Sequence, residues 1–293
     1  LKKYLEALES YNQGNREAAA QKLAEAFGAK EPSPVMTNSL DKFFNETLIK
    51  ACAVIVDSEM GKNNVIKRFS VDESRVVIQP FSPAPSVRNI DDKHESQSHC
   101  ILEKYEINND YIFYPAQFWP HKNHVYILEG LKLLYDKYGI LLDAVFSGSD
   151  KGNLNHVREY ASRIGLESRV KFIGFVENSE MSVLYRKSIA LVMPTYFGPT
   201  NLPPLEAFSL EVPVLYSDLP GLREQVGDAA ILMDLTQPLS LADSLKNLIE
   251  SREVRENLIR AGSSRLVELS KASNSVSLSE VIKLFQHKRA CWR

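Results

Sequence analysis

The chain has 293 residues, of which 44% are hydrophobic and 25% are charged, so it is long enough for about two globular domains. Its formal net charge of −2 gives no electrostatic reason to expect a nucleic acid or an anionic membrane as the main partner. Three widely spaced cysteines without a CxxC pair predict neither a disulfide framework nor a zinc site, and a reducing cytoplasm is the expected location.

The apolar runs are far shorter than the roughly 20 residues that a membrane span needs, and no signal peptide is evident at the start of the sequence. We therefore expect a soluble, cytoplasmic protein. Peripheral docking on the inner face of a membrane stays open, because a protein without a membrane span can still bind a membrane surface.

Residues 1–33 have apolar residues at helical spacing on both sides of the breaker "NQGN", which predicts a helical hairpin. A single copy of a pattern faintly similar to a tetratricopeptide repeat is present, and such arrays need about three copies for stability. A packing hairpin or linker is favoured over a peptide-binding array, and a protein contact through 1–33 stays open.

Residues 34–90 begin at a proline-marked boundary and alternate helices with the strands "AVIV" and "RVVIQP". Residues 91–108 begin with polar, aperiodic sequence and are predicted to be a linker. Residues 273–293 are predicted to form a C-terminal helix, with its apolar stretch at 276–285.

Residues 109–272 alternate strands and helices regularly. The predicted strands are "YIFYPA", "DAVFSG", "VKFIGF", "IALVMP", "VPVLYS" and "AAILMD". The predicted helices include 123–138, 155–164, 180–186, 205–210 and one around 241–248. Strands that are apolar throughout, alternating with helices, predict an α/β domain with a doubly wound parallel sheet. Ligands of such domains bind at the carboxyl ends of the strands, so the loops of interest are 115–122, 147–155, 174–180 and 194–204.

The loop "PAQFWPHKNH" ends a strand and opens a helix whose predicted N-cap is Asn123. Lys122 would then lie beside the positive end of a helix dipole, which suits an anion. The alternative is a solvated loop lysine between two surface histidines, and the loop alone favours that alternative. His121 and His124 lack a third ligand in metal-binding register, so no metal site is predicted.

The loop "FSGSDKGN" offers Gly148 and Gly152 for close backbone approach to a ligand. Neither GxGxxG nor GxxxxGK[ST] occurs in the sequence, which argues against an ordinary dinucleotide dehydrogenase and against a P-loop phosphotransferase.

The stretch "PTYFGPTNLPPLEAF" contains two prolines that preset a helix start, which leaves the amides of Thr200, Asn201 and Leu202 free to cradle a phosphate. Glu206 is predicted in the first helical turn. The helix dipole favours a carboxylate there in any case, so a purely structural role is the alternative. The concurrence of four such loops at one sheet edge favours the functional interpretation.

Longer motifs occur in a fixed order along residues 40–269: "ACAVIVDSEMGKNNVIKRF", "VVIQPFSPAP", "YPAQFWPHKNH", "RVKFIGFV" and "LYRKSIALVMPTYFGPTNLPPLEAFSLEVPVLYSDLPGLREQVGDAAILMD". In these motifs the chain resembles the group 1 glycosyltransferases, family four with the GT-B fold. The resemblance is to the branch that often assembles bacterial O-antigen and other surface polysaccharides, including lipopolysaccharide.

The resemblance implies two Rossmann-like domains, with the nucleotide-sugar donor held mainly by the second and the acceptor facing the first. Residues 34–90 would then be a remnant of the acceptor domain, because a glycine-rich loop and a catalytic-site His or Asp usually precede this segment in the family. The expected partners are a nucleotide-sugar donor and a glycan or lipid-linked glycan acceptor, with no metal and no cofactor beyond the donor substrate.

The resemblance also implies roles for individual residues. Lys122 would contact the donor diphosphate, Glu206 would accept hydrogen bonds from the ribose hydroxyls, and the amides of Asn201 and Leu202 would meet phosphate or sugar. The turn at 174–175 would flank the base. The full predicted donor-binding set is Gln117, Lys122, Gly148, Gly174, Phe175, Thr200, Asn201, Leu202 and Glu206, with Lys122 and Glu206 as the catalytic pair.

Two departures from the family pattern leave the donor sugar open. Gly198 stands eight residues before Glu206, where the family commonly has a sugar-contacting Glu. Gln117 replaces an Arg that often assists the lysine. The leading hypothesis is a retaining glycosyltransferase of the hexosyltransferase type in surface polysaccharide biosynthesis. The alternative is a noncatalytic nucleotide-sugar-binding or scaffold module without a complete acceptor domain.

Overall fold

The structure is a computed structural model that describes residues 34–84, 98–196, 201–274 and 278–290. The predicted hairpin at 1–33 lies outside the described residues, as do Gly198, Thr200 and the first part of the predicted linker, 91–97. The chain divides into two compact units, Leu1–Ile55 with Lys62–Val77, and Val56–Gly61 with Ile78–Arg293.

The described residues before 85 form two helices and two short strands: α1 Pro34–Leu48, β1 Val54–Val56, α2 Glu59–Phe69 and β2 Val76–Ile78. The two strands pair with each other in a separate two-stranded sheet. Where α1 ends, the Arg75 guanidinium donates to the carbonyls of Leu48 and Ile49 at 2.8 and 3.2 Å. It thereby satisfies acceptors that a helix end leaves without an intrahelical partner.

A six-stranded sheet and a set of helices form the rest of the described chain. Its strands are β3 Tyr111–Pro115, β4 Asp143–Ser147, β5 Val170–Gly174, β6 Ala190–Met193, β7 Val214–Ser217 and β8 Ile231–Met233. Its helices are α3 Ser98–Lys104, α4 His124–Tyr138, α5 Leu154–Arg163, α6 Asn178–Arg186, α7 Leu202–Ser209, α8 Pro220–Val226, α9 Leu239–Glu250, α10 Arg252–Asn274 and α11 Leu278–Ala290.

The strand order is β5-β4-β3-β6-β7-β8, and every neighbouring pair is parallel. The predicted doubly wound α/β fold is therefore confirmed, and each of the six predicted strands is present. The chain leaves β3 toward β4 and β5, then returns to the other side of β3 as β6. This reversal between β3 and β6 is a topological switch point, and loops that leave the carboxyl ends of two such strands diverge to form a ligand crevice.

The core lies on both faces of the sheet. All residues of β4, β6 and β7 are buried, as expected for strands without a polar face. Helix α4 packs closely on α9 at Gly130, where an added Cβ atom would lie 2.5 Å from a methyl carbon of Leu241. A larger side chain at this position would force the two helices apart.

Two helices are absent from the sequence prediction. The long helix α10 is mostly polar and carries "GSS" in its middle, which are poor helix formers. Its Gly262 packs against Phe208, where a Cβ atom would lie 2.7 Å from the ring, so tertiary packing explains the glycine. Helix α3 occupies part of the segment predicted to be a linker.

Among the described helices, none combines the length and the apolar character needed to cross a bilayer.

Helix α7 begins three residues earlier than predicted, at Leu202 rather than Leu205. Pro203 and Pro204 lie inside its first turn, where a backbone N–H has no intrahelical acceptor and proline is tolerated. Glu206 is consequently the fifth residue of the helix, and the prediction that it lies in the first turn is wrong.

Candidate functional site

The switch point brings together the loop after β3, residues 116–123, and the described residues of the loop after β6, 194–196 and 201. We call these loops, with the first turns of α4 and α7, the switch-point site. The two loops touch through their backbones, since the N–H of Tyr196 donates to the carbonyl of His121 at 2.9 Å. The hydroxyl of the buried Tyr114 donates to the carbonyl of Lys122 at 3.0 Å and holds the first loop from below.

Lys122 is the central cation of this site. Its Nζ lies 3.4 Å from Oδ1 of Asn201, so the structure brings these two predicted residues together from separate loops. Burial lowers the pKa of Lys122, because the charged ammonium loses hydration. No carboxylate in the described ranges forms an ion pair with it, and a partly buried cation without a counter-ion favours an anionic ligand.

The helix that follows Lys122 presents its amino end to the same site. Asn123 is its N-cap, as predicted, in the left-handed conformation with a φ of 54°. The Asn123 side chain makes no capping hydrogen bond. The first N–H groups of α4 therefore keep their capacity to bind an anion, in addition to the favourable end of the helix dipole.

His124, the first residue of α4, is fully buried among aromatic rings. Its imidazole stacks on Phe118 at 4.5 Å and lies 4.9 Å from the Tyr114 ring and 5.1 Å from the Phe146 ring. Neither ring nitrogen reaches a hydrogen-bonding partner in the described part of the chain. Burial, reinforced by the nearby charge of Lys122, lowers the pKa of His124 to about 3. The imidazole is therefore neutral at pH 7.

His121 is neutral for the same reason. Burial and the adjacent Lys122 lower its pKa to about 4. Its ring stacks on that of Trp119 with 6.2 Å between the ring centroids, and Trp119 Nε1 donates to Gln117 Oε1 at 3.0 Å. Gln117 itself is exposed. The loop thus adds aromatic surface and no second positive charge to the site.

The backbone N–H of Asn201 is hydrogen-bonded, which the sequence does not predict. Its N–H donates to Gln225 Oε1 at 3.0 Å, so this amide is not free, and the prediction of a free amide at this position is wrong. The amide of Leu202 remains at the helix start without an intrahelical acceptor. Thr200, the third predicted donor, lies outside the described residues. The partner Gln225 is 24 residues away in sequence, and nothing in the local pattern indicates it.

Glu206 is half-buried on α7, and its Oε2 accepts a 2.9 Å hydrogen bond from the hydroxyl of Tyr185 on α6. Burial raises the pKa of Glu206, while the bond from Tyr185 acts in the opposite direction. Because Glu206 is beyond the first helical turn, the dipole alone is a weak reason for its presence. Its second oxygen, Oε1, has no hydrogen-bond partner among the described residues and can accept from a ligand.

Gly148 lies against a neighbouring loop of the protein. Its φ is 138°, and a Cβ atom there would lie 2.4 Å from the carbonyl oxygen of Ala116. Its N–H donates to the carbonyl of Gly174 at 2.7 Å. The predicted close approach therefore exists, but its partner is the neighbouring loop. The structure uses this glycine to join the loops after β3, β4 and β5.

Gly174 ends β5 with a φ of 68° and open space beside its Cα, and the next residue, Phe175, is 80% exposed. An exposed ring at the carboxyl end of a strand offers a surface on which a base can stack. Phe175, Lys122 and Glu206 all follow the carboxyl ends of strands of the same sheet. Phe175 follows β5, and the strands β4 and β3 lie between β5 and β6.

Residues 101–265, more than half of the chain, match the family described as Glycosyl transferases group 1. The chain belongs to this family of glycosyl transferases. Among its relatives, O-antigen chain mannosyltransferase B of Escherichia coli is 25% identical over 198 residues, which are 67% of this chain and 51% of the relative. This group 1 chain spans about half the length of the curated relatives it matches.

Solved structures of glycosyltransferases share the fold. A glycosyltransferase from Rickettsia africae superposes with a TM-score of 0.68 and 16% identity, covering 85% of this chain and 67% of that one. HepE of Anabaena, solved in complex with UDP, gives a TM-score of 0.67 and 15% identity, covering 80% of this chain and 64% of that one. These likenesses confirm the predicted GT-B-type fold.

Proposed function

We propose that the switch-point site binds the nucleotide-diphosphate-sugar donor of a glycosyltransferase. The observation that carries the proposal is the position of Lys122, a partly buried cation with no paired carboxylate in the described ranges, 3.4 Å from Asn201 at the switch point of the sheet. A diphosphate supplies the missing counter-charge. The UDP complex of the structurally similar Anabaena protein supports this choice of ligand.

Glu206 and Phe175 complete the donor site in this proposal. The ribose hydroxyls donate to Glu206, whose position is held by the hydrogen bond from Tyr185. The base stacks near the exposed Phe175 after β5. Gly174, with its positive φ and open surroundings, lets the chain turn beside the base without a side chain in the way.

Catalysis in this proposal is mainly stabilisation of the leaving group. When the bond between the sugar carbon and the diphosphate oxygen breaks, that oxygen keeps the electron pair and negative charge grows on the diphosphate. Lys122 and the first N–H groups of α4 meet this charge in a site of low polarity, where each contact is worth more than in water. The acceptor hydroxyl forms the new bond to the sugar carbon on the face that the leaving group occupied and gives its proton to the departing diphosphate oxygen, so the configuration is retained.

We further propose that the sugar is a hexose and that the acceptor is a glycan or lipid-linked glycan of a bacterial surface polysaccharide. The similarity to the E. coli O-antigen chain mannosyltransferase B supports both statements. We also propose that the enzyme works in the cytoplasm, on the inner face of the membrane where its acceptor is anchored. A noncatalytic donor-binding module is the competing function.

Two measurements test the proposal. Calorimetry of this chain with UDP, GDP and dTDP tests the donor site, and we expect at least one nucleoside diphosphate to bind. A transfer assay with labelled UDP-glucose and GDP-mannose, on this chain and on the full-length gene product, separates transferase from binding module. We expect the full-length product to transfer sugar. Binding without transfer by the full-length product would favour the module, and no binding of any nucleotide would refute the donor site.

A further inference from the structure

Asn201, Tyr216 and Gln225 form a hydrogen-bonded triad next to Lys122. The Gln225 carboxamide pairs with both backbone groups of Asn201: Nε2 donates to the Asn201 carbonyl at 2.6 Å, and Oε1 accepts from the Asn201 N–H at 3.0 Å. Asn201 is extended, with a φ of −136° and a ψ of 140°. One side chain therefore holds this residue as a neighbouring β-strand would.

Tyr216 fixes the side chain of the same residue. Its hydroxyl accepts from Asn201 Nδ2 at 2.5 Å and donates to Gln225 Oε1 at 3.2 Å. With Nδ2 committed to Tyr216, the remaining polar atom of the Asn201 carboxamide is Oδ1, which faces Lys122 Nζ at 3.4 Å. The donors and acceptors of the triad are thus matched in only one orientation of the Asn201 amide, because a flipped amide would place its NH₂ against an ammonium that only donates.

The triad rests on rigid surroundings. Tyr216 is fully buried on β7, and Gln225 is 5% exposed on α8. The backbone carbonyl of Gln225 accepts a 3.0 Å hydrogen bond from Nε of Arg265 on α10. Buried polar groups stabilise a fold only when all their hydrogen bonds are made, and here each polar atom of the Gln225 carboxamide has a partner.

We propose that Tyr216 and Gln225 are positioning residues, which hold Asn201 so that its Oδ1 fixes the Lys122 ammonium toward the donor diphosphate. Neither residue touches the ligand. This inference rests on the proposed function, because it assigns the orientation of Lys122 to the same donor site. Asn201 thus acts through its side chain, whereas the sequence predicted a role for its backbone amide.

The test compares Tyr216→Phe and Gln225→Met with the parent chain. Calorimetry measures affinity for UDP and for uridine, and for GDP and guanosine. We expect each variant to bind the better diphosphate about threefold to tenfold more weakly, the effect of one misplaced hydrogen bond, with unchanged affinity for the corresponding nucleoside. A general loosening of the fold would weaken both ligands alike. In a Lys122→Ala background, Tyr216→Phe should have no further effect on the diphosphate.

Tyr111→Phe is the matched control, because Tyr111 is also a buried strand tyrosine. It lies at the amino end of β3, away from the switch-point site, and its hydroxyl donates to the Leu184 carbonyl at 2.8 Å. This substitution should leave the ratio of diphosphate to nucleoside affinity unchanged.

If Gln225→Met does not fold, Tyr216→Phe alone decides between the outcomes. If the parent binds no nucleotide, the proposed function and this inference fail together. If the parent binds and both ratios stay as in the parent, or the loss persists without Lys122, this inference alone is overturned.

Discussion

The hydroxyl of Tyr185 lies 2.9 Å from Oε2 of Glu206 and donates a hydrogen bond to it across the space between helices α6 and α7. Tyr185 is fully buried, and its ring meets that of Phe113 edge to face at 5.0 Å. The Glu206 carboxylate is therefore held from the side of the core, and its other oxygen is left for a ligand. This arrangement gives separate tests for the carboxylate and for its holder.

Glu206→Gln keeps the shape of the side chain and its bond from Tyr185 but removes the charge. We expect affinity for UDP or GDP to fall by about 1–2 kcal/mol, because a ribose hydroxyl then donates to a neutral acceptor. The control ligand is the 2′,3′-dideoxy nucleotide, whose affinity should not change. If calorimetry shows equal losses for both nucleotides, Glu206 does not contact the ribose.

Tyr185→Phe tests how the carboxylate is tuned. Burial raises the pKa of Glu206 and the Tyr185 hydrogen bond opposes that rise, so removing the hydroxyl should raise the pKa further. Protonation at falling pH removes the charged acceptor. The acidic loss of nucleotide affinity should therefore move to higher pH in Tyr185→Phe and should be absent in Glu206→Gln. If nucleotide affinity falls at the same acidic pH in the parent and in Tyr185→Phe, the Tyr185 hydroxyl does not affect the pKa of Glu206.

Lys122→Ala should weaken binding of a nucleoside diphosphate about tenfold to a hundredfold, the value of a charge-assisted contact of roughly 1.5–3 kcal/mol. A nucleoside without phosphates should bind as before. Since burial lowers the pKa of Lys122, diphosphate affinity should also decline at a lower alkaline pH than an exposed lysine would give. The control is Lys187→Ala. Lys187 is an exposed lysine that precedes the amino end of β6, away from the switch-point site. Equal affinity in parent and Lys122→Ala would make this lysine an ordinary loop residue.

His124→Phe should make folding less sensitive to acid. The folded protein holds the pKa of His124 at about 3, against 6.5 for a free imidazole, so only the unfolded chain takes up this proton between these values. The free energy of unfolding therefore decreases as pH falls from 6.5, by about 2 kcal/mol at pH 5 from this residue. Urea unfolding at pH 7 and pH 5 should show a smaller difference in the variant.

The same substitution tests the environment of the imidazole. At pH 7, His124→Phe should be at least as stable as the parent, because a phenyl ring keeps the stacking on Phe118 and no described hydrogen bond is lost. A loss of several kcal/mol at pH 7 would mean that the imidazole makes a structural hydrogen bond.

Gly148→Ala should lower the free energy of unfolding by about 2–4 kcal/mol, because the new Cβ would collide with the Ala116 carbonyl at a φ of 138°. Gly152→Ala is the matched control. Gly152 also has a positive φ, 92°, but nothing lies within 4 Å of its added Cβ, so the substitution should cost only backbone strain of about 1 kcal/mol. Urea unfolding of both variants measures the difference, and equal losses would contradict a packing role for Gly148.

The sequence predicts the sheet well because each strand is a continuous apolar run, a pattern that depends on burial and not on distant partners. The Asn123 N-cap of the helix after Lys122 was predictable from the local loop, but the burial of Lys122 was not, since that loop alone favours a solvated lysine. The triad of Asn201, Tyr216 and Gln225 could not be predicted in this way, because its members meet only when β7 and α8 have packed.

Two further misses have local causes. Two successive prolines predict a helix that begins after them, whereas in α7 they occupy the first turn. The glycine pattern predicts a close approach at Gly148 but does not indicate that a group of the protein itself approaches. The structure shows that the group is the Ala116 carbonyl of the neighbouring loop.

A crystal structure of the chain with bound UDP or GDP, whichever calorimetry shows to bind better, tests the central claim most directly. The account predicts diphosphate oxygens within about 3 Å of Lys122 Nζ and ribose hydroxyls at the same distance from Glu206, with the Asn201 carboxamide still bonded to Tyr216. A nucleotide bound away from the loops after β3 and β6, or a diphosphate that leaves Lys122 without contact, would contradict it.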